Sequence, residues 1–199
     1  MFEYEDKIVL ITGAGRGRGR MLAQALSKSG ALIAVNDISP INLDPLVVIG
    51  NGRVKAYGED VAKKVRAQSI VDEVQEDFGR IDVLINHAAV QSHIPPLEMD
   101  EWDWHRVLDV NLTGAFLMIQ SVGRVMRSQG SGVIVNLITE STRDEKEEEA
   151  FLAGMRGLEA LSDQAAREYR LPGIRVYTVA DAEDTIVDRV PSLITSEEP

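Results

Sequence analysis

Short apolar runs bounded by turn residues recur along the chain at 8–11, 31–35, 82–85, 133–137 and 174–179, with longer amphipathic stretches between them. The runs are rich in Val, Ile and Leu and show little polar alternation, the pattern of strands covered by helices on both faces. A weaker strand falls at 54–57, just before Gly58-Glu59-Asp60. Helices are predicted near 17–29, 61–78, 100–129 and 147–170; in the last, Phe151, Met155, Leu158 and Glu159 fall at helical spacings. This alternation predicts an α/β fold: a doubly wound parallel sheet in three α/β/α layers, cut short after its sixth strand. Two stretches break the rhythm. Residues 38–45, with Pro40 and Pro45, read as a loop where a crossover helix would stand, and residues 185–199 read as a flexible polar tail.

At 199 residues, 44% hydrophobic and 27% charged, the chain has the size and balance of one globular domain spanning 1–199. Its net charge of −11 repels phosphate backbones and anionic lipid, so neither nucleic acid nor a membrane surface is expected as a partner. No cysteine is present, which removes disulfides, thiolate metal sites and cysteine nucleophiles, and no metal site is expected. The acidic start, Met1 to Lys7, lacks the basic region of a signal peptide, and no apolar run approaches the roughly 18 residues of a bilayer span. A cytoplasmic location is the expectation. The acidic run from Arg143 to Glu149 reads as a solvated loop and helix start, with Glu147, Glu148 and Glu149 at the positive end of the helix dipole.

The first predicted strand runs directly into Thr12-Gly13-Ala14-Gly15-Arg16-Gly17-Arg18-Gly19, and a helix follows. Glycine at such a junction permits a tight turn, lets backbone N–H groups approach a pyrophosphate and lets the helix pack close to the sheet. Eighteen positions after Gly19, the second strand ends in Asp37, where a carboxylate can accept hydrogen bonds from an adenosine ribose. Together they predict a Rossmann-type nucleotide site. Asp37 would repel a 2′-phosphate, which favours NAD over NADP, while Arg16 and Arg18 pull the other way.

With these residues in view, the sequence resembles the short-chain dehydrogenase/reductase family over about residues 6–180. Thr12, Gly13, Gly17 and Gly19 match that family's T-G-x-x-x-G-x-G loop, although Arg18 stands where Ile or Leu is usual and would either contact the pyrophosphate or obstruct it. Asp60-Val61 looks like the adenine-pocket pair, and Asn86-His87-Ala88-Ala89 looks like N-N-A-G, keeping Asn86 and Ala88 but departing at His87 and Ala89. Val110-Asn111-Leu112-Thr113-Gly114 resembles V-N-L-x-G, whose asparagine helps to hold a proton-relay water, and Gly132 to Asn136 and Gly173 to Val176 resemble the fifth and sixth strands.

The resemblance implies a reaction in which hydride transfer to a carbonyl leaves an alkoxide, protonated by a tyrosine. Such a positioned acid contributes ~10²–10⁴-fold. A lysine one helical turn later lowers the tyrosine pKa and holds the nicotinamide ribose, and a serine orients the substrate. Here Thr139 falls at the serine, Phe151 at the tyrosine and Met155 at the lysine. Phenylalanine has no proton to give and methionine no charge. Tyr4, Tyr57, Tyr169 and Tyr177 are followed four positions later by Ile8, Val61, Gly173 and Asp181, so no Y-x-x-x-K exists in any register. Asp181 also departs from V-x-P-G at the sixth strand, bringing negative charge toward the nicotinamide, and the short remainder to Pro199 implies a missing substrate lid.

The leading expectation is therefore a homologue that binds NAD(H) through Gly13, Arg16, Gly17, Arg18, Gly19, Asp37, Asp60, Val61, Asn86 and Ala88 but has lost proton transfer, serving as a structural or regulatory subunit. Two alternatives stand beside it. One is a working NAD-dependent alcohol dehydrogenase or ketoreductase using Thr139, Asn111 and another acid. The other is a scaffold in which Arg18, Ala89 and Asp181 close the nucleotide site. The resemblance implies a homo-oligomer, or a hetero-oligomer with an active relative, through the helices at 100–129 and 147–170. His87 and His93 read as structural, Glu140, Ser141 and Arg143 match no established acid–base arrangement, and Trp102 and Trp104 read as helix-start packing or a subunit contact.

Overall fold

A computed structural model of the chain describes residues 4–5, 7–138, 149–170, 173–180 and 186–195. Six strands, β1 (Ile8–Ile11), β2 (Leu32–Asn36), β3 (Val54–Tyr57), β4 (Val83–Asn86), β5 (Gly132–Ile138) and β6 (Ile174–Ala180), form one sheet in the order β3-β2-β1-β4-β5-β6. Every neighbouring pair is parallel. The order reverses between β1 and β4, and in such sheets ligands bind beyond the carboxyl ends of the strands at that point.

Side chains alternate across the sheet with period two, so β1 sends Val9 and Ile11 to one layer and Ile8 and Leu10 to the other. The first layer packs against α1 (Gly17–Lys28), through Leu22 and Leu26, and α2 (Asp44–Ile49), through Leu46. The second layer packs against α3 (Lys64–Phe78), through Ile70 and Val74, and the helices that follow β4 and β5. Helix α4 (Glu101–Leu108) passes through a six-residue π-helical segment, Asp109–Gly114, into α5 (Ala115–Gln129); α6 (Glu149–Tyr169) follows β5. Asp100 caps α4, its carboxylate accepting the Asp103 N–H at 2.8 Å.

Four sequence expectations need correction. The 38–45 stretch is not simply a loop: a 3₁₀ turn at Pro40–Asn42 leads into α2. Pro45 lies in the first turn of that helix, where no intrahelical N–H is required, so it starts the helix rather than breaking it. The 185–199 tail is also largely structured, because residues Ile186–Thr195 form α7. Ile186, Val190 and Ile194 recur every four residues as one buried stripe, and α7 joins α1 and α2 in covering the first layer despite Pro191 within it. The predicted 61–78 helix begins later, at Lys64, and the predicted 100–129 helix is divided by the π segment.

Candidate functional site

The loop after β1 is held by its backbone. The Thr12 N–H donates to Ile85 O at 3.0 Å, and the Ala14 N–H donates to Asn36 O at 2.8 Å, pinning the turn between the ends of β4 and β2. The Gly15 N–H donates to the Asp37 carboxylate at 3.1 Å, whose other oxygen accepts the Ser39 N–H at 2.9 Å. Arg20 reaches back from α1 and donates to Gly15 O and, at 2.9 Å, to Asn42 O, tying the glycine loop to the 3₁₀ turn.

Three glycines are demanded by close approach. A Cβ on Gly13, whose φ is +66°, would lie 2.7 Å from Ala88 Cα; one on Gly19 would lie 2.7 Å from Gly13 O; one on Gly15 would collide with the Asp37 carboxylate. Gly17 differs: its φ is +54°, yet a Cβ there meets nothing within 4 Å.

The turn after β4 closes over the same loop. Thr12 Oγ1, almost wholly buried, accepts the N–H groups of His87 at 3.1 Å and Ala88 at 3.2 Å. His87 Nδ1 lies 3.1 Å from Gly13 O, which can only accept, so this nitrogen carries the proton. Burial, reinforced by the Arg18 charge, holds the His87 pKa below its ordinary value despite the hydrogen bond to Gly13, and the ring is neutral near pH 7.

These elements surround a cavity of about 190 Å³ beyond the strand ends. It is lined by Gly13 and Arg16 after β1, Asp37 and Ile38 after β2, Glu59 to Val61 after β3, His87 to Val90 after β4, Leu137 near the end of β5, and Arg106 and Val110. Six of the predicted nucleotide residues, Gly13, Arg16, Asp37, Asp60, Val61 and Ala88, therefore converge there. Asn86 lies below it, donating to Asn136 Oδ1 at 2.8 Å. Gly17, Arg18 and Gly19 belong to the start of α1 and do not line the cavity. Sequence reasoning missed Ile38, Glu59, Val90, Arg106 and Leu137 and named Thr12, Val110 and His87 only as motif positions; most of these lie next to strand ends, which was the available signal.

The predicted reaction centre is different in character. Asn111, on the π segment, pairs its amide with the Val90 backbone, accepting the N–H at 2.8 Å and donating to the carbonyl at 2.9 Å. Gly154 of α6 packs against it, since a Cβ there would sit 3.1 Å from Asn111 Cβ. On either side of Gly154, Phe151 and Met155 are 2% and 3% exposed, clustered with Val107, Ile138 and Ala150. Met155 also borders a void of about 10 Å³ with Thr12, Asn86, Ala88 and Leu137. Thr139, Glu140, Ser141, Arg143 and Asp181 lie outside the described residues, as does the acidic run before Glu149. His93 and both tryptophans of α4 are exposed rather than packed.

The profile of the short chain dehydrogenase family matches residues 7–183. This chain belongs to that family. It is an oxidoreductase family that binds nicotinamide cofactors. The chain is 34% identical to a D-threitol dehydrogenase of Mycolicibacterium smegmatis over 90% of its length and 70% of the relative's. It is 32% identical to a 3-oxoacyl-[acyl-carrier-protein] reductase of Thermotoga maritima over 94% of its length and 78% of the relative's. Among solved structures, a metagenomic short-chain oxidoreductase in complex with NADP superposes with a TM-score of 0.91 at 26% identity, covering 98% of this chain and 93% of the other. No helix among the described residues is long and apolar enough to cross a membrane, and no cluster of three or more His, Cys, Asp or Glu could hold a metal ion there.

Proposed function

We propose that this chain binds NAD(H) at the cavity beyond β1 and β4 and acts as a structural or regulatory subunit without the family's proton-transfer chemistry. The observation that carries this reading is the pair Phe151 and Met155, one helical turn apart, both buried and both without a titratable group. Support for the nucleotide comes from the start of α1, which no side chain caps, and from the Asp37 carboxylate at the cavity, which can accept from ribose hydroxyls. Gly13, Arg16, Asp37, Asp60, Val61 and Ala88 would hold it. A bound nicotinamide supplies hydride chemistry, but no proton donor occupies the Phe151 position and no cation the Met155 position.

NAD is favoured over NADP because the Asp37 carboxylate, already fixed by Gly15 and Ser39, would face a 2′-phosphate with like charge. Exposed Trp102, Trp104, Phe116 and Leu152 on α4, α5 and α6 support assembly through those helices, with a second copy or an active relative. The competing reading, a working alcohol dehydrogenase or ketoreductase, draws support from relatives named as dehydrogenases and reductases.

Calorimetric titration with NADH, paired with a turnover assay over a broad alcohol and carbonyl panel, separates the readings. Saturable binding lost in Gly17→Val, with no turnover, is the expected result. Measurable turnover favours the enzyme, and no binding in the unmodified chain removes the proposal.

A further inference from the structure

Arg20 and Asp37 grip the same two residues. The Arg20 guanidinium donates from one nitrogen, Nη2, to the carbonyl oxygens of Gly15 and, at 2.9 Å, of Asn42. The Asp37 carboxylate accepts the Gly15 N–H at 3.1 Å through one oxygen. Its other oxygen accepts the Ser39 N–H at 2.9 Å and the Asn42 side-chain amide at 3.5 Å. Arg20, Gly15, Asp37 and Asn42 thus close a ring of hydrogen bonds, with partners as far as 22 positions apart. The ring joins the start of α1, the glycine loop, the end of β2 and the 3₁₀ turn before α2.

The two charged members of the ring stand differently toward the cavity. Asp37 lines it, whereas Arg20 lies behind the glycine loop and acts on a ligand through what it holds. The packing between them is tight: a Cβ on Gly15 would collide with the Asp37 carboxylate and lie 2.6 Å from Asn42 Cβ. A shift of the glycine loop is therefore passed directly to the carboxylate. A carboxylate offers about four lone-pair directions, and the Gly15, Ser39 and Asn42 donors fix how this one is turned. Arg20 keeps Gly15 and Asn42 in place on either side of it.

We infer that Arg20 is a positioning residue that sets the choice between NAD and NADP by holding Asp37 in its orientation. This rests on the nucleotide-site reading above and deepens it, because it names what makes the Asp37 carboxylate selective. With the ring closed, Asp37 is aimed to accept from the hydroxyls of an adenosine ribose and to oppose a 2′-phosphate. Without Arg20, the glycine loop and the 3₁₀ turn part and the carboxylate turns away from that aim. The hydroxyls then lose a fixed acceptor, and the 2′-phosphate loses the charge that opposed it.

Calorimetry with NADH and NADPH on the intact chain and its variants tests it, each variant being checked for folding by its thermal transition. Arg20→Met keeps an unbranched stem but donates nothing; it should weaken NADH about tenfold, the worth of one hydrogen bond to a charged group, and leave NADPH within about threefold. Arg20→Lys should bring NADH back to within about threefold of the unmodified chain, because both bonds leave one nitrogen and an ammonium carries three donors. In an Asp37→Ala background, Arg20→Met should change NADH binding by less than about twofold, since its effect runs through the missing carboxylate. If Arg20→Met does not fold, Arg20→Gln takes its place in each comparison and the same outcomes decide. Equal weakening of NADH and NADPH, a full loss that persists without Asp37, or NADPH binding tighter than NADH in the unmodified chain overturns the inference while leaving a nucleotide site in place. If neither nucleotide binds the unmodified chain, the reading beneath it falls as well.

Discussion

Gly13 and Gly17 allow the packing of the nucleotide loop to be separated from its backbone strain. Both have left-handed φ, +66° and +54°, and alanine at either carries about 1–2 kcal/mol for that conformation. Gly17→Ala should cost no more, because its Cβ meets nothing within 4 Å. Gly13→Ala places a Cβ 2.7 Å from Ala88 Cα and 2.9 Å from Ala88 N, which are backbone atoms that cannot rotate away. The β1 loop and the β4 turn must part, and three hydrogen bonds span that seam: His87 and Ala88 N–H to Thr12 Oγ1, and His87 Nδ1 to Gly13 O. At about 1 kcal/mol each, losing two or three of them brings Gly13→Ala to about 3–5 kcal/mol. Urea denaturation followed by circular dichroism measures both. With about 2–4 °C per kcal/mol for a chain of this size, the two variants should also differ by roughly 4–12 °C in Tm. Equal destabilisation, within about 0.5 kcal/mol, would refute the claim that close approach at Ala88 dictates glycine at 13.

Three further outcomes are expected. Burial keeps His87 neutral by lowering its pKa from 6.5, so the unfolded chain takes up a proton that the folded chain resists; the stability present above pH 6.5 is lost as pH falls toward the folded value. His87→Asn should flatten that slope between pH 7 and pH 5, and an unchanged slope in denaturation curves would assign it to other groups. The double variant Phe151→Tyr, Met155→Lys should remain without ordinary turnover, since its new polar atoms enter an apolar cluster around Val107, Ile138 and Ala150; rates in the usual range of about 1–10³ s⁻¹ on an alcohol panel would contradict this. Ile194→Ala, at a position 5% exposed, should cost about 2–5 kcal/mol in the same denaturation assay, whereas an effect near zero would mean that α7 contributes no core.

Periodicity carried the sheet, the helices and the glycine loop, because those follow from local spacing. What it missed followed from distance or from competing local signals. The Thr12 hydroxyl reads as a motif residue, but its acceptance of two N–H groups 75 and 76 positions away depends on strand order, which no local window contains. Helix α7 was hidden because Pro191 and the polar Asp188, Arg189 and Ser192 dilute its apolar density, although Ile186, Val190 and Ile194 kept the helical interval. In α2 the opposite error arose: Pro45 was weighed as a breaker without allowance for its position in the first turn. The pairing of Asn111 with Val90 likewise joins an α4–α5 segment to the turn after β4, a contact that no local window contains.

The loop glycines and the apolar pair Phe151 and Met155 are held by different contacts, and the geometry tells them apart. Gly13, Gly15 and Gly19 are each required by neighbouring atoms of the chain itself, so they would persist in a protein that bound nothing. Their presence argues for the fold more than for a ligand. Phe151 and Met155 belong to an apolar core cluster, where each fully buried side chain contributes about 1.5–3 kcal/mol. Gly17 escapes both accounts. Its Cβ position is open space, leaving only backbone conformation and whatever approaches the start of α1 to require glycine there. Binding lost in Gly17→Val with the fold retained therefore reports on the ligand, and the same loss in Gly13→Val would report on packing.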